Sequence, residues 1–217
     1  MTYMILLVAH IAVLGYWMGS ELCINSLYRF VCFRDDLEFA ARDAINDHLM
    51  DIDQHVRYAL ALQFLLGTIL ALEAGYIPTG TAGQIAVLCF GILWLILIEA
   101  GHRLRKQKSG QILAKIDRVF RYMIAVAMLA GISGLIINVP LWLSLKMACF
   151  AGVILCGVAI RFVLIRHFAC WTAMETNGPD DENNRQVQRI YWRATSILGV
   201  LWIFIAMIVF LAVFKPQ

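Results

Sequence analysis

The chain has 217 residues, of which 61% are hydrophobic and only 15% are charged, with a formal net charge of +3 at pH 7. Its apolar residues fall in separate runs close to the ~20 residues with which a helix crosses a bilayer. This composition excludes a water-soluble globular domain and gives no sign of a nucleic-acid partner. It predicts an all-α polytopic integral membrane protein whose first partner is the lipid bilayer.

Six membrane spans are predicted, and together they form a single transmembrane helical bundle domain over residues 1–217. The four prolines lie between or after the apolar runs, as expected of residues that end helices. The predicted spans are 4–30, 56–76, 84–104, 120–138, 141–168 and 190–213.

The first span carries two features. His10 is an ionisable ring inside an apolar run, and because a polar ring is costly in lipid it is a functional-site hypothesis. Gly15 and Gly19 form a small-x-x-x-small pattern, which predicts close packing against another helix of the bundle.

Residues 35–54 are too polar to span a membrane, yet apolar residues recur in them at helical spacing. They predict a cytoplasmic amphipathic helix that leads into the second span. His48, Asp51 and His55 share one face of this helix, and their nitrogen and oxygen donors suit a divalent metal on the cytoplasmic side. An ordinary solvated face is the simpler alternative.

A weak internal repeat relates spans two and three to spans four and five. Residues 56–58 (Val-Arg-Tyr) resemble residues 120–122 (Phe-Arg-Tyr), and Gly67 and Gly131 follow them at the same distance. Cys89-Phe90 and Cys149-Phe150 match in the next helix of each pair. The repeat indicates a duplication, although unrelated apolar helices also resemble one another.

Residues 177–184 (Asn-Gly-Pro-Asp-Asp-Glu-Asn-Asn) predict a mobile cytoplasmic loop. Basic residues concentrate near this loop and the loops after spans one and three, whereas Lys146 and Lys215 stand almost alone on the other side. The positive-inside rule then predicts that both termini are periplasmic in a bacterial inner membrane. The cytoplasmic basic set is Arg29, Arg34, Arg42, Arg103, Arg105, Lys106, Lys108, Lys115, Arg118, Arg121, Arg166, Arg185 and Arg189.

Depth in the membrane restricts the partners of His10. Because a helix rises ~1.5 Å per residue, His10 lies roughly 9 Å below the outer surface and Lys146 lies at nearly the same level. Glu73 and Trp142 are also near this level, whereas the other histidines fall at or beyond the cytoplasmic ends of the spans. A bis-histidine haem that includes His10 is therefore excluded. The simpler alternatives are a hydrogen-bonded His10 and a Lys146 that extends to the interface.

Several short motifs in span one and spans four to six carry a family resemblance. They are Ala9-His10, Trp17-Met-Gly19, Arg118-Val-Phe-Arg121-Tyr, Gly131-Ile-Ser-Gly134, Leu141-Trp142-Leu-Ser-Leu-Lys146 and Phe214-Lys215-Pro216. These motifs resemble HemJ-type protoporphyrinogen oxidases and the related CopD-like membrane proteins. HemJ proteins have four helices, so spans two and three would be additional.

The resemblance implies that the bundle binds haem b or a porphyrin. His10 would be an axial ligand, and Lys146 would be a charge partner, a second ligand or a catalytic residue. Trp142 and Glu73 are assigned to the same cofactor site because of their depth. The implied function is electron transfer or porphyrinogen oxidation coupled to a membrane quinone.

Two other functions stay open. The apolar, aromatic-rich faces also suit a non-enzymatic integral subunit that packs against other subunits of a respiratory or photosynthetic complex. A CopD-like metal-handling protein would use His10, Glu73 and methionines outside, or His48 and His55 inside.

Overall fold

The structure, a computed structural model, describes residues 1–105, 107–132 and 139–216, and only the backbone of Ile132. Lys106 and Gly134, which figured in the basic set and in a glycine motif, lie outside the described residues. Within the described ranges the chain forms six α-helices and no strand, so the all-α prediction is confirmed. The helices are α1 (Thr2–Phe33), α2 (Phe39–Glu73), α3 (Thr81–Arg103), α4 (Lys108–Ile132), α5 (Leu141–Asn177) and α6 (Asp181–Phe214).

Five of these helices, all except α4, are long and apolar enough to cross a membrane. The chain is therefore a helical bundle suited to lipid. The described part of α4 begins with a half in which charged residues such as Lys115, Asp117 and Arg121 interrupt the apolar ones, and its continuous apolar run follows Arg121.

The six described helices form a closed ring in chain order. Each contacts the next one along the chain, and α1 contacts α6. We call the end of the ring that holds Thr2 and Phe214 the terminal end, and the other the opposite end. At the terminal end, Tyr76 of the α2–α3 connection contacts Trp142 at the start of α5, and at the opposite end Arg42 of α2 is bonded to Asn184 of α6.

Four of the helices extend well beyond the length of a membrane span. α1, α2, α5 and α6 contain 32, 35, 37 and 34 residues. At ~1.5 Å per residue they are about 48 to 56 Å long, whereas the hydrocarbon core is ~30 Å thick. At the opposite end they form a four-helix extension with a core of its own, which the sequence analysis did not predict. Its buried residues are Tyr28, Val31, Cys32, Leu49, Cys170, Trp171, Met174, Val187, Ile190, Tyr191 and Ala194.

The amphipathic helix predicted over residues 35–54 is present from Phe39. It is the first half of α2, which continues without a break into the second span. The reason is local, because α2 contains no proline and its only glycine is Gly67. Its buried face in the extension includes the polar residues Arg42 and Asn46.

The connection predicted over residues 177–184 is shorter than expected. α5 continues to Asn177 and α6 begins at Asp181, so only residues 178–180 join them. Asp180 caps α6, with its Oδ1 accepting a hydrogen bond of 2.7 Å from the backbone N–H of Asn183. Hydrogen bonds from Asn183 hold the pKa of Asp180 below its usual range. The cap therefore stays charged at neutral pH and favours an early start of the helix.

The glycines of α1 and α4 differ in how closely other residues pack against them. The predicted close packing at Gly15 and Gly19 is wrong, because a Cβ built at either position meets nothing within 4 Å. Both glycines lie on the exposed side of α1. Gly131, in contrast, is tightly packed, since a Cβ there would lie 3.1 Å from Met147 Cε.

The internal repeat has a structural counterpart in α2 and α4. Asp53 pairs with Arg57 one turn later at 2.8 Å, and Asp117 pairs with Arg121 one turn later at 3.0 Å. The two ion pairs occupy equivalent positions of the repeat. The resemblance between these segments therefore includes a matching interaction as well as matching apolar residues.

Candidate functional site

A cavity of about 510 Å³ lies inside the ring. All six helices line it, each through the part nearest the terminal end, and its walls are almost entirely apolar. Among the described residues that line it, the side chains with polar groups are His10, Trp17, Gln63, Thr68 and Lys146. A volume of this size is typical of sites for small molecules and cofactors.

His10 is held against α2 by two residues one helical turn apart. Its side chain is nearly covered, with the residue 8% exposed, and a hydrogen bond of 3.1 Å joins its Nε2 to the side-chain amide of Gln63. Gly67 leaves room for the imidazole, since a Cβ there would lie 3.2 Å from His10 Cε1. The second ring nitrogen, Nδ1, is buried and has no hydrogen-bond partner in the described part of the chain. Such an atom is costly unless a ligand satisfies it.

Lys146 lines the same cavity from α5. It is half-buried, and among the described residues it has no hydrogen bond and no carboxylate within ion-pair distance. Its position agrees with the common depth predicted for His10 and Lys146. An unpaired ammonium group in an apolar cavity suits a ligand with an anionic group.

Two residues predicted for this site lie outside the cavity. Glu73 is exposed at the end of α2, and Trp142 contacts Tyr76 with ring centroids 5.7 Å apart. Lys215 Nζ lies 5.6 Å from the Trp142 ring centroid. Both residues lie at the predicted depth but do not line the cavity. α5 lines it with Leu143, Lys146, Met147 and Phe150, and the last residue of α2 that lines it is Ala71. The assignment of Glu73 and Trp142 to a cofactor site is therefore corrected.

Gln63, Gly67 and Thr68 are site residues that the sequence analysis missed. Together with Phe64 and Ala71 they form one face of α2. A signal was present, since a glutamine, a glycine and a threonine recur at helical spacing in an apolar span. The spacing alone does not identify a site, because the sequence does not show which face of α2 turns inward.

An aromatic layer, formed by Trp17, Phe64, Phe90, Trp94 and Phe150, bounds the cavity on the side of the opposite end. Phe64 lies at its centre, with centroids 6.4 Å from Phe150 and 5.9 Å from Trp94. Trp94 Nε1 donates to Asp117 Oδ1 at 2.9 Å, so the layer contacts the charged groups of α4. The rings exclude water from the cavity floor, which strengthens electrostatic interactions in the cavity.

Equivalent positions of the repeat line the cavity in pairs. Phe64 of α2 corresponds to Met128 of α4, and Gly67 corresponds to Gly131. Phe90 of α3 and Phe150 of α5 are a third pair. The cavity walls are therefore built largely from the two copies of the repeat, whereas His10 belongs to α1 outside it.

The residues predicted for a cytoplasmic metal do not assemble. His48 is exposed, Asp51 pairs with Arg105 at 2.7 Å, and a hydrogen bond of 2.5 Å joins His55 Nδ1 to the Tyr16 hydroxyl. Across residues 1–105, 107–132 and 139–216, no three His, Cys, Asp or Glu side chains are placed to hold a metal ion. Asp51 is already neutralised by an arginine, and His10 lies in the cavity near the terminal end.

The donors in the cavity fit haem b or a porphyrin. With the ring proton on Nε2 donated to the unpartnered amide oxygen of Gln63, Nδ1 of His10 could bind the haem iron, and the unpaired Lys146 could pair with a propionate. The apolar walls and the volume of about 510 Å³ suit a large flat macrocycle.

No family model matches this chain, and neither a curated protein nor a solved structure was found to be similar to it.

Proposed function

We propose that the protein binds haem b or a porphyrin in the cavity formed by the ring of helices. The observation that carries this proposal is that two polar groups lie in the same, otherwise apolar cavity and that neither has a hydrogen-bond or ion-pair partner among the described residues. One is the buried Nδ1 of His10, and the other is the ammonium group of Lys146. A group that offers both a metal centre and carboxylates satisfies both at once.

Each residue has a distinct role in this proposal. His10 would bind the haem iron, and Gln63 and Gly67 orient its ring from α2. Lys146 would pair with a propionate of the macrocycle. The aromatic layer would shield the cavity from water on the side that faces the opposite end of the ring. Haem b, when bound, supplies one-electron redox chemistry, while the protein sets ligand, orientation and dielectric.

The activity we propose is electron transfer or porphyrinogen oxidation, in which a membrane quinone accepts the electrons. The support is the resemblance of the His10 and Lys146 motifs to HemJ-type enzymes. In an oxidation, Lys146 is the catalytic residue, since an ammonium group beside an apolar site can hold or release a proton.

We also propose that α4 is the sixth span and that both termini are periplasmic in a bacterial inner membrane. The support is the distribution of charge along the helices. Arginines such as Arg57, Arg121 and Arg161 lie away from the terminal end, whereas Lys146 and Lys215 lie near it.

The two alternatives have less support. Exposed apolar side chains, for example Leu93 and Ile96 of α3, fit an integral subunit, but contact with lipid accounts for them equally well. A CopD-like metal-handling function needs a donor cluster, and the described residues contain no group of three suitable side chains.

The proposal is tested by the absorption spectrum of the detergent-purified protein, expressed with ample haem and recorded before and after dithionite. We expect a Soret band and, after reduction, the α band of a b-type haem. A protein without a Soret band under these conditions would refute haem binding. Porphyrin fluorescence in the same sample distinguishes a metal-free porphyrin from haem.

Gly67→Ala is expected to weaken haem binding by about two- to tenfold. The new Cβ would lie 3.2 Å from His10 Cε1, and a ring pushed off its preferred rotamer costs roughly 0.5–1.5 kcal/mol, which is up to about tenfold in affinity. Haem titration of the apoprotein, followed by absorption, measures this change. Gly19→Ala is the matched control, because a Cβ there meets nothing within 4 Å and affinity should not change.

A further inference from the structure

A second polar cluster lies between α2, α4 and α5, on the other side of the aromatic layer from the cavity. Asp53 Oδ2 accepts hydrogen bonds from Arg57 Nη2 at 2.8 Å and from Arg161 Nη2 at 3.1 Å. Asp117 Oδ2 accepts from Arg121 Nε at 3.0 Å. A small cavity of about 20 Å³ lies among these groups. Its lining includes the charged residues Arg57, Asp117, Arg118, Arg121 and Arg161.

The charges of this cluster do not balance. Four guanidinium groups line the small cavity, but only two carboxylates, Asp53 and Asp117, are bonded to them. Arg118 has no carboxylate within ion-pair distance in the described ranges, and its guanidinium carbon lies 5.7 Å from the centroid of the Phe162 ring. The cluster therefore has an excess of two positive charges.

Arg121 adds an independent observation. The residue is 8% exposed, and its Nη2 is buried without a hydrogen-bond partner among the described residues. A buried charged donor without an acceptor is costly, so the site is incomplete as it stands. A single water fits in about 20 Å³ and would satisfy the donor, but it would leave the excess charge in place.

The level of the cluster identifies the kind of anion. Arg161 lies 20 residues after Leu141 at the start of α5, which corresponds to about 30 Å along the helix. This distance equals the thickness of the hydrocarbon core, so the cluster lies at the level of the lipid headgroups. The preference of basic residues for the cytoplasmic side explains arginines at this level, but not their convergence on one cavity.

We propose that this arginine cluster binds the phosphate group of an anionic ligand, either an anionic phospholipid headgroup or free phosphate. Guanidinium groups bind phosphate oxygens in bidentate geometry, and basic pockets between membrane helices suit anionic headgroups. One phosphate oxygen enters the small cavity and meets Arg121, while the partly exposed Arg118 and Arg161 contact the remaining oxygens. The site is independent of any haem in the larger cavity.

Native mass spectrometry of the full chain in detergent tests the proposal. Wild type and variants are titrated with phosphatidylglycerol, with phosphatidylcholine and with inorganic phosphate. We expect wild type to bind phosphatidylglycerol more tightly than phosphatidylcholine, and Arg118→Gln and Arg121→Gln each to bind it about tenfold more weakly. Arg166→Gln removes an exposed arginine farther along α5 and should bind as wild type does.

The arms of the experiment distinguish the two sources of phosphate. Inorganic phosphate that binds in an Arg118- and Arg121-dependent manner, without a preference for phosphatidylglycerol, identifies free phosphate and supports the site. Equal binding of every probe to wild type and to both cluster variants would overturn it. If Arg121→Gln does not fold, because Asp117 loses its partner, Arg118→Gln decides the matter, since it leaves the ion pairs of Asp53 and Asp117 intact.

Discussion

His10→Ala is expected to abolish the b-type spectrum of the purified protein. The imidazole is the proposed ligand of the haem iron, and His10 is the only histidine among the described residues that line the cavity. Loss of a residue that supports a metal ligand costs about 10- to 100-fold in affinity, so loss of the ligand itself should exceed about 100-fold. The measurement is the Soret absorbance per protein after purification, followed by haem titration of the apoprotein.

His55→Ala is the matched control for this experiment. His55 lies on α2, is exposed and bonds to Tyr16, so its removal should leave haem content unchanged. Circular dichroism of both variants verifies that the helices persist. Retention of the reduced α band in His10→Ala would show that another residue ligates the haem, and the proposed site would then be wrong.

Arg42→Ala is expected to lower the free energy of unfolding by about 3 kcal/mol, because hydrogen bonds from charged groups contribute roughly 1.5–3 kcal/mol each. Arg42 is 1% exposed in the four-helix extension. Its Nε donates to the Val31 carbonyl at 3.1 Å and its Nη1 donates to Asn184 Oδ1 at 3.0 Å. The guanidinium also lies 5.3 Å from the centroid of the Trp171 ring. The substitution thus removes contacts to α1, α5 and α6 together.

Thermal and chemical unfolding in detergent, followed by tryptophan fluorescence and circular dichroism, measure the effect of Arg42→Ala. The matched control is Arg34→Ala, whose side chain is 44% exposed and pairs with Asp36. Exposed ion pairs contribute little, so this variant should unfold as wild type does. Equal losses of stability in the two variants would contradict a special role for Arg42.

The helical bundle could be predicted because runs of apolar residues have few alternatives in a membrane. The extension could not be predicted in the same way, since its buried face includes Arg42 and Asn46. Polar residues at such positions look like a solvated surface until their partners on other helices are known. For the same reason residues 181–184 looked like a loop, although Asn184 is a buried partner of Arg42.

The candidate site was predicted in part for an equally physical reason. Depth follows from sequence position, so His10 and Lys146 could be assigned to one level. The rotation of a helix about its axis does not follow when every side is apolar, which is why Glu73 and Trp142 were wrongly included. Gln63 and Gly67 were missed because the face of α2 that turns inward became apparent only when the ring of helices was known.

The repeat in the cavity walls has a consequence for how a flat ligand would be oriented. Because α2 and α4 present equivalent residues, such as Gly67 and Gly131, the walls alone offer two similar ways to insert the same macrocycle. The choice between them then depends on His10, which lies outside the repeat, and on Lys146, whose counterpart in the repeat is Ala86. A variant that lacks Lys146 should therefore bind its ligand in two orientations, and paramagnetic NMR of the haem methyl groups would show two sets of signals in place of one.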